Sequence, residues 1–279
     1  MLSSNQINGF WENGYMVVPG VVPADLCERV IADIQFHGEI DPEDAATWYQ
    51  GNFAGHGFVP VHHTQAMWDV RQHPAVHAVF AALYGQAALW VTSDRLSYKP
   101  PASAESAGWK QAPVHWDCDP WQFSGRSIQG VVYLTDTSEE QGAFACVPSI
   151  YASLPAYLSD HADDADRRQV CFAPDELKPI PGPAGSLVLF SRLMPHTGLR
   201  NASMSHRYVQ YVAMNPVGNE TLRASRVREF RDRMPPEWAI KQAVPGQQIP
   251  EPGPAISLTA LGRKLVGIDL WPDEHGGSS

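Results

Sequence analysis

The stretch Pro113-Val114-His115-Trp116-Asp117-Cys118-Asp119-Pro120-Trp121 sets an imidazole and a carboxylate two residues apart in a segment that reads as extended chain. Side chains two apart on a strand point to the same side, so His115 and Asp117 can meet one ion together. Two donors leave a metal's coordination short. A further ligand has to come from another part of the chain.

Working outward, it is found in Gly185-Ser186-Leu187-Val188-Leu189-Phe190-Ser191-Arg192-Leu193-Met194-Pro195-His196-Thr197-Gly198, where an apolar, strand-like run passes through a short turn to a histidine. His196 is thereby set at a strand end. Next comes Asn201-Ala202-Ser203-Met204-Ser205-His206-Arg207-Tyr208-Val209-Gln210-Tyr211-Val212, with Arg207 opening another strand eleven residues beyond His196. Two imidazoles and one carboxylate form the facial triad of non-haem Fe(II) sites, which keeps positions open for co-substrate and oxygen. Alone, a His-x-Asp is more often a hydrogen-bonded pair, and a lone arginine more often an ion-pair partner. The order of all four residues, with apolar strands before His196 and after Arg207, favours the metal site.

That ordered set stands with Tyr98-Lys99-Pro100-Pro101 before it. Thr137-Ser138-Glu139-Glu140-Gln141-Gly142-Ala143 follows, running into Val147-Pro148-Ser149. From Phe10 to Pro216 the chain resembles the Fe(II)/2-oxoglutarate dioxygenases, specifically their phytanoyl-CoA dioxygenase-like branch. The resemblance implies that His115, Asp117 and His196 are the catalytic metal ligands, holding Fe(II), with 2-oxoglutarate and O2 as co-substrates. It also implies that Arg207, a planar two-pronged cation, grips the far carboxylate of 2-oxoglutarate. Lys99, Gln111, Tyr133, Thr135 and Thr197 are further candidates for that pocket. Where many relatives read His-Gly-Ser and Val-Pro-Gly-Ser-His, this chain reads His196-Thr197-Gly198 and Val147-Pro148-Ser149-Ile150-Tyr151. The hydroxyl that often follows the distal histidine must then come from Thr197 or another strand. Halogenating relatives replace the carboxylate with a small residue, so Asp117 favours hydroxylation or another oxidative outcome. Trp116 and Trp121 flank the motif as substrate-pocket walls or as core, and Arg95 and Arg126 are candidate substrate contacts.

With 279 residues and 44% hydrophobic content, the chain is long enough for one large domain with an ample core. The net charge of −10 offers no general basic field for a phosphate backbone, so nucleic acid is not an expected partner. Cys27, Cys118, Cys146 and Cys171 lie far apart with no C-x-x-C, which speaks against a zinc ribbon or a disulfide framework and fits a reducing cytoplasm. No leader pattern or membrane-length apolar run is read, so the expectation is an unexported protein with no membrane partner. Oligomeric state is not legible.

Along the chain, helices are expected after Ser3-Ser4 up to Gly14, over Pro23 to Phe36, and over Pro74 to Tyr84 ahead of Gly85. Strands are expected at Tyr15 to Val18, Leu89 to Lys99, Ser127 to Thr135 and Ala143 to Val147. Between Gly38 and Arg71 the pattern weakens, and glycines mix with aromatics and with His62 and His63, the main rival metal ligands. That stretch is either a lid or a surface excursion whose aromatics tuck inward. Ala102 to Gly108 reads as a small-residue loop, Ile150 to His161 as helix or irregular chain, and Asp160 to Arg168 as a charged surface excursion. Glu220 to Met234 is a helix whose arginines form a basic or simply solvated face. Pro235 to Pro254 reads as extended, Leu258 to Val266 as a last helix, and Asp273 to Ser279 as a frayed end. Many short strands with Gly and Pro punctuation favour a mainly β fold with flanking helices, a cupin-like double-stranded β-helix or jelly roll. The expected layout is a single domain, 1–279, with N-terminal helices within 1–85, a jelly-roll core over 86–216 and a helical or extended segment over 217–279.

The function expected from this reading is oxidation of a small organic substrate with release of succinate and CO2. The competing readings are a cupin-like metalloenzyme that does not use 2-oxoglutarate, and a non-catalytic metal- or ligand-binding protein on the same fold. Few basic residues surround the aromatic segments, which disfavours a CoA thioester.

Overall fold

Arg207–Pro216 (β10) alternates strictly, and that alternation organises the molecule. Tyr208, Val212 and Met214 enter a large apolar core shared with helices, whereas Arg207, Tyr211, Ala213 and Asn215 line a cavity on the other side. Successive side chains on a strand point to opposite faces, so the two faces of this sheet serve two different compartments. The structure is a computed structural model that describes residues 2–53, 57–103, 111–162, 170–241 and 247–272.

Among these residues the larger sheet has seven strands, and all its pairings are antiparallel. Tyr15–Val18 (β1), Leu187–Ser191 (β8), Ile128–Tyr133 (β5), β10, Leu96–Lys99 (β4) and Phe58–Val59 (β2) follow in that order, and Leu89–Val91 (β3) also pairs with β10. A three-stranded sheet of Lys178–Ile180 (β7), Phe144–Cys146 (β6) and His196–Gly198 (β9) faces it. The fold is thus mainly antiparallel β, jelly-roll-like, with flanking helices. Alternation repeats across the larger sheet: Val131, Tyr133, Val188, Phe190 and Val209 pack toward the small sheet, while Ile128, Val132, Leu187 and Leu189 pack toward the helices.

Those helices include Ser4–Asn13 (α1), Ala24–Gly38 (α2), Gln65–Arg71 (α3) and Pro74–Tyr84 (α4). Ser3 and Gln6 form a capping box on α1, and Gly14 ends it at φ 78°, a left-handed conformation in which glycine carries no Cβ penalty. Pro23 caps α2 from outside rather than opening it. The expected strand Leu89 to Lys99 is split into β3 and β4: Thr92 and Arg95 still bond to β10, and the chain departs from regular pairing at Ser93 and Asp94 between them. Pro148–Ala152 (α5) and Leu154–Asp160 (α6) cover the small sheet's flank.

Glu220–Asp232 (α7) and Ala260–Val266 (α9) match their expected positions, but the stretch expected to be extended contains a helix, Glu237–Lys241 (α8). Within Gly38 to Arg71, β2 and α3 supply order that the sequence pattern did not signal. Its aromatics tuck inward: Phe53 meets Tyr98 at 5.3 Å and Trp48 meets His206 at 4.7 Å between ring centroids. Arg71 is fully buried, donating to the carbonyls of His62 and Asp94. The loop before the His-x-Asp motif, most of the excursion at 160–168 and the end at 273–279 fall largely or wholly outside the described residues. No helix among the described residues is long and apolar enough to cross a membrane.

Candidate active site

Register brings the two histidines together. His115 and His196 form an isolated antiparallel bridge, exchanging N–H···O bonds of 3.0 Å in both directions, so their rings stand side by side with centroids 4.7 Å apart. The extended run expected around the motif is this single bridge, and the chain bends at Asp117. The bend is held from outside: Gln129 on β5 donates Nε2 to Asp117 Oδ2 at 2.7 Å, and Arg192 donates Nη2 to the Asp117 carbonyl at 3.0 Å.

The imidazole tautomers follow from the hydrogen bonds. His115 Nδ1 lies 2.9 Å from the Pro113 carbonyl and His196 Nδ1 lies 3.0 Å from the Met194 carbonyl. A carbonyl only accepts, so each Nδ1 carries a proton and each neutral ring offers an Nε2 lone pair, the arrangement common to metal-binding histidines. Both Nε2 atoms face Asp117, at 3.6 Å from Oδ1 and 3.5 Å from Oδ2. These separations exceed hydrogen-bond length. Three donor groups within 4.8 Å of one another, with lone pairs converging, form a set that could hold a metal ion. Burial pushes the Asp117 carboxyl up, but hydrogen bonds and positive charge from the neighbouring imidazoles, when they take a second proton, outweigh it and hold the carboxyl well below the usual carboxylate range. Burial likewise pulls His115 down, while Asp117 and the Pro113 carbonyl raise it on balance.

The triad opens on a cavity of about 400 Å3 between the sheets, which Arg207, Lys99 and Thr197 also line. Arg207 is 1% exposed, and its Nε and Nη1 are buried without a hydrogen-bond partner among the described residues. Lys99 is spoken for: its Nζ donates to the Gly198 carbonyl at 2.7 Å and to the Leu199 carbonyl. Burial, and then the charge of Arg207, hold the Lys99 amine well below its ordinary value. Thr197 donates Oγ1 to the Ala112 carbonyl at 2.8 Å, tying β9 to the chain just ahead of the motif. The donor set and the orphaned guanidinium fit a metal and an anionic co-substrate.

A family model described as phytanoyl-CoA dioxygenase (PhyH) matches residues 10–209. The chain belongs to the phytanoyl-CoA dioxygenase family. Membership puts it among the non-haem iron, 2-oxoglutarate-type oxidoreductases. A Dictyostelium discoideum protein, "Putative phytanoyl-CoA dioxygenase", is 21% identical over 265 residues, covering 76% of this chain and 75% of its own. The GlcNAc Inducible Gene 2 product of Candida albicans is similar in structure, with a TM-score of 0.69 at 14% identity, over 98% of this chain and 78% of that one. The epimerase SnoN, solved with Fe3+, α-ketoglutarate (2-oxoglutarate) and nogalamycin RO, has a TM-score of 0.58 at 18% identity, over 91% of this chain and 94% of its own. At these identities the two solved structures speak to the fold.

Six residues singled out in the sequence do not line the cavity. Trp116 lies between His115 and Asp117 and so points the other way, donating Nε1 to the Leu193 carbonyl and packing edge-on to Tyr157. Trp121 donates Nε1 to the Leu158 carbonyl. Arg126 is exposed and lies over Trp11, 4.4 Å from the ring centroid. Tyr133 is fully buried between the sheets, its hydroxyl donating to the Ile180 carbonyl and accepting from the Phe144 N–H, and burial pushes it up to about 12. Thr135 lies past the end of β5, and Gln111 is exposed. Arg95 does reach the cavity. His62 and His63 are held elsewhere, on the Ser93 and Met234 carbonyls. Gln129, Arg192 and Asp94 were not singled out. Gln129 sits on a strand among apolar residues and Asp94 in the polar run Thr92 to Arg95, patterns that read as solvent-facing until the opposite sheet is known.

Proposed function

We propose that this chain is an Fe(II)- and 2-oxoglutarate-dependent oxygenase acting on a small metabolite, with His115, Asp117 and His196 as metal ligands and Arg207 as the anchor for 2-oxoglutarate. The observation that carries this reading is the Arg207 guanidinium, buried in the same cavity as the triad with two donors unpaired among the described residues. An unpaired buried charge costs several kcal/mol, so a fold that keeps one is suited to an anion arriving there. Arg207 outranks Lys99 for this role, since two backbone carbonyls already occupy the lysine.

Bound iron would supply the oxygen activation that no side chain provides. The chain's own contribution is positional. The Pro113 and Met194 carbonyls fix both imidazole tautomers, Gln129 holds one carboxylate oxygen of Asp117, and Lys99 and Thr197 brace β9 behind His196. A cavity of about 400 Å3 sits near the small end of the usual 300–1,000 Å3 range for ligand pockets, which favours a compact substrate over a CoA thioester.

The test is anaerobic iron titration followed by a succinate-release assay with 2-oxoglutarate across a metabolite panel. One tightly bound iron and 2-oxoglutarate turnover are expected. Oxygen-18 from O2 in the product marks hydroxylation, and its absence alongside coupled succinate marks another oxidative outcome. Coupled turnover of an acyl-CoA would overturn the small-metabolite assignment.

A further inference from the structure

Along β10, the cavity changes character. Arg207 opens the strand and Asn215 lies 215 − 207 = 8 residues further on, a span of roughly 25 Å. Midway along the strand, beside Tyr211 and Ala213, hydrogen-bond acceptors are left over. The Asp117 carboxylate fixes which way the Gln129 amide points, so Nε2 faces Asp117 and Oε1 faces away, buried with no partner. Asp94 Oδ1 accepts the Arg95 backbone N–H at 2.7 Å, which leaves Oδ2 without a hydrogen bond among the described residues in a side chain that lines the cavity. Gln129 Oε1, a buried acceptor, calls for a donor, and Asp94 sets a partly buried carboxylate beside it.

Charge and surface narrow the donor. The guanidinium of Arg95 lies 4.1 Å from the Phe58 ring centroid and 5.0 Å from that of Trp238, and Arg192 lines the same wall. Arg95 pairs with Asp94, Nε to Oδ1 at 3.9 Å, and Arg192 stands beside Asp117, so two cations and two carboxylates balance and leave no net charge for an ammonium group to meet. An anionic group would meet the cations but would also face the unpaired oxygens of Asp94 and Gln129. A neutral ring carrying several hydroxyls avoids both conflicts. Its hydroxyls donate at the edge, and its C–H faces lie on aromatic surface.

We propose that this middle part of the cavity is a subsite for a neutral polyhydroxylated ring, with Asp94 and Gln129 accepting from its hydroxyls and Phe58, Tyr211 and Trp238 packing against its faces. This names a substrate class for the site proposed above and rests on that reading. Calorimetry tests it, with myo-inositol, methyl β-glucopyranoside, glucosamine and hexanoate titrated into the protein metal-free, iron-loaded, and iron-loaded with 2-oxoglutarate under nitrogen. The two neutral polyols should bind more tightly than glucosamine or hexanoate. Asp94→Asn should weaken polyol binding by about tenfold or more while iron and 2-oxoglutarate affinities stay within about twofold of wild type. Trp238→Ala, on the short surface helix α8, should weaken it in the same direction, giving a second reading should the Asp94 variant fold poorly. Absence of polyol binding in all three states, a preference for hexanoate or glucosamine, or unchanged polyol affinity in both variants would overturn the subsite. Failure of the wild type to bind iron or 2-oxoglutarate would instead strike the proposed function, and the metal-free titration would still decide the subsite.

Discussion

At the scale of single residues, the site divides into groups that donate to an ion and groups that aim them. His115→Ala removes one of three ligands and should abolish stoichiometric iron binding in an anaerobic titration; retained occupancy would send the search to other donors. Gln129→Met keeps the side chain's length but loses the 2.7 Å bond to Asp117. It should lower metal affinity by about ten- to a hundredfold, the usual scale for losing a group that orients a ligand. For Arg207→Ala, the lost charge-assisted contacts are worth about 1.5–3 kcal/mol each, so the apparent KM for 2-oxoglutarate should rise at least tenfold, with only partial rescue in Arg207→Lys. His115, Asp117, His196 and Arg207, which the fold brings to one cavity, could be picked out together because their residue types and order form a set. Tyr133 and Arg126 lie away from the cavity, and Trp116 takes the core alternative, because proximity in sequence to the motif says nothing about which side of a strand, or which sheet, a side chain serves.

At the scale of elements, local signals were enough for α1, β1, α4, β5, β6 and α9, whose caps, glycines and apolar periodicities are complete within each segment. They failed where a partner far along the chain defines the element. β2 is two residues long and exists because Phe58 and Val59 pair with Ser97 and Leu96 of β4. Beside it, Gly57 sits at φ 84°, and a Cβ there would lie 2.0 Å from the Tyr98 carbonyl oxygen. Gly57→Ala therefore combines a left-handed backbone with a backbone clash, and each problem costs about 1–3 kcal/mol. Thermal unfolding should move down by several degrees. Because Phe58 lines the cavity, KM for the substrate should also rise while iron stoichiometry holds. An undisturbed melting temperature would show that the β2–β4 edge yields more readily than its geometry implies.

At the scale of the whole molecule, the C-terminal residues close over a pair of buried histidines, and this couples stability to pH. His63 donates Nε2–H to the Met234 carbonyl at 2.9 Å and accepts the Trp68 indole N–H on Nδ1 at 3.1 Å, so a second ring proton would face a donor. Burial first, and then the charge of Arg71, lower His63 to about 3; burial likewise lowers His62 to about 4. In the unfolded chain both titrate near 6.5. Below that value the unfolded state binds protons that the folded state refuses, so stability falls as pH falls, down toward the folded values. Between pH 7 and pH 5 the loss is about 2 kcal/mol for each histidine. Urea unfolding at the two pH values measures it. His63→Asn preserves an acceptor toward Trp68 without a titrating ring, and should flatten the dependence by about 2 kcal/mol even if it lowers stability at pH 7. Parallel pH profiles for the variant and the wild type would mean that His63 accepts its proton in the folded state, which the Trp68 N–H pointed at its Nδ1 argues against.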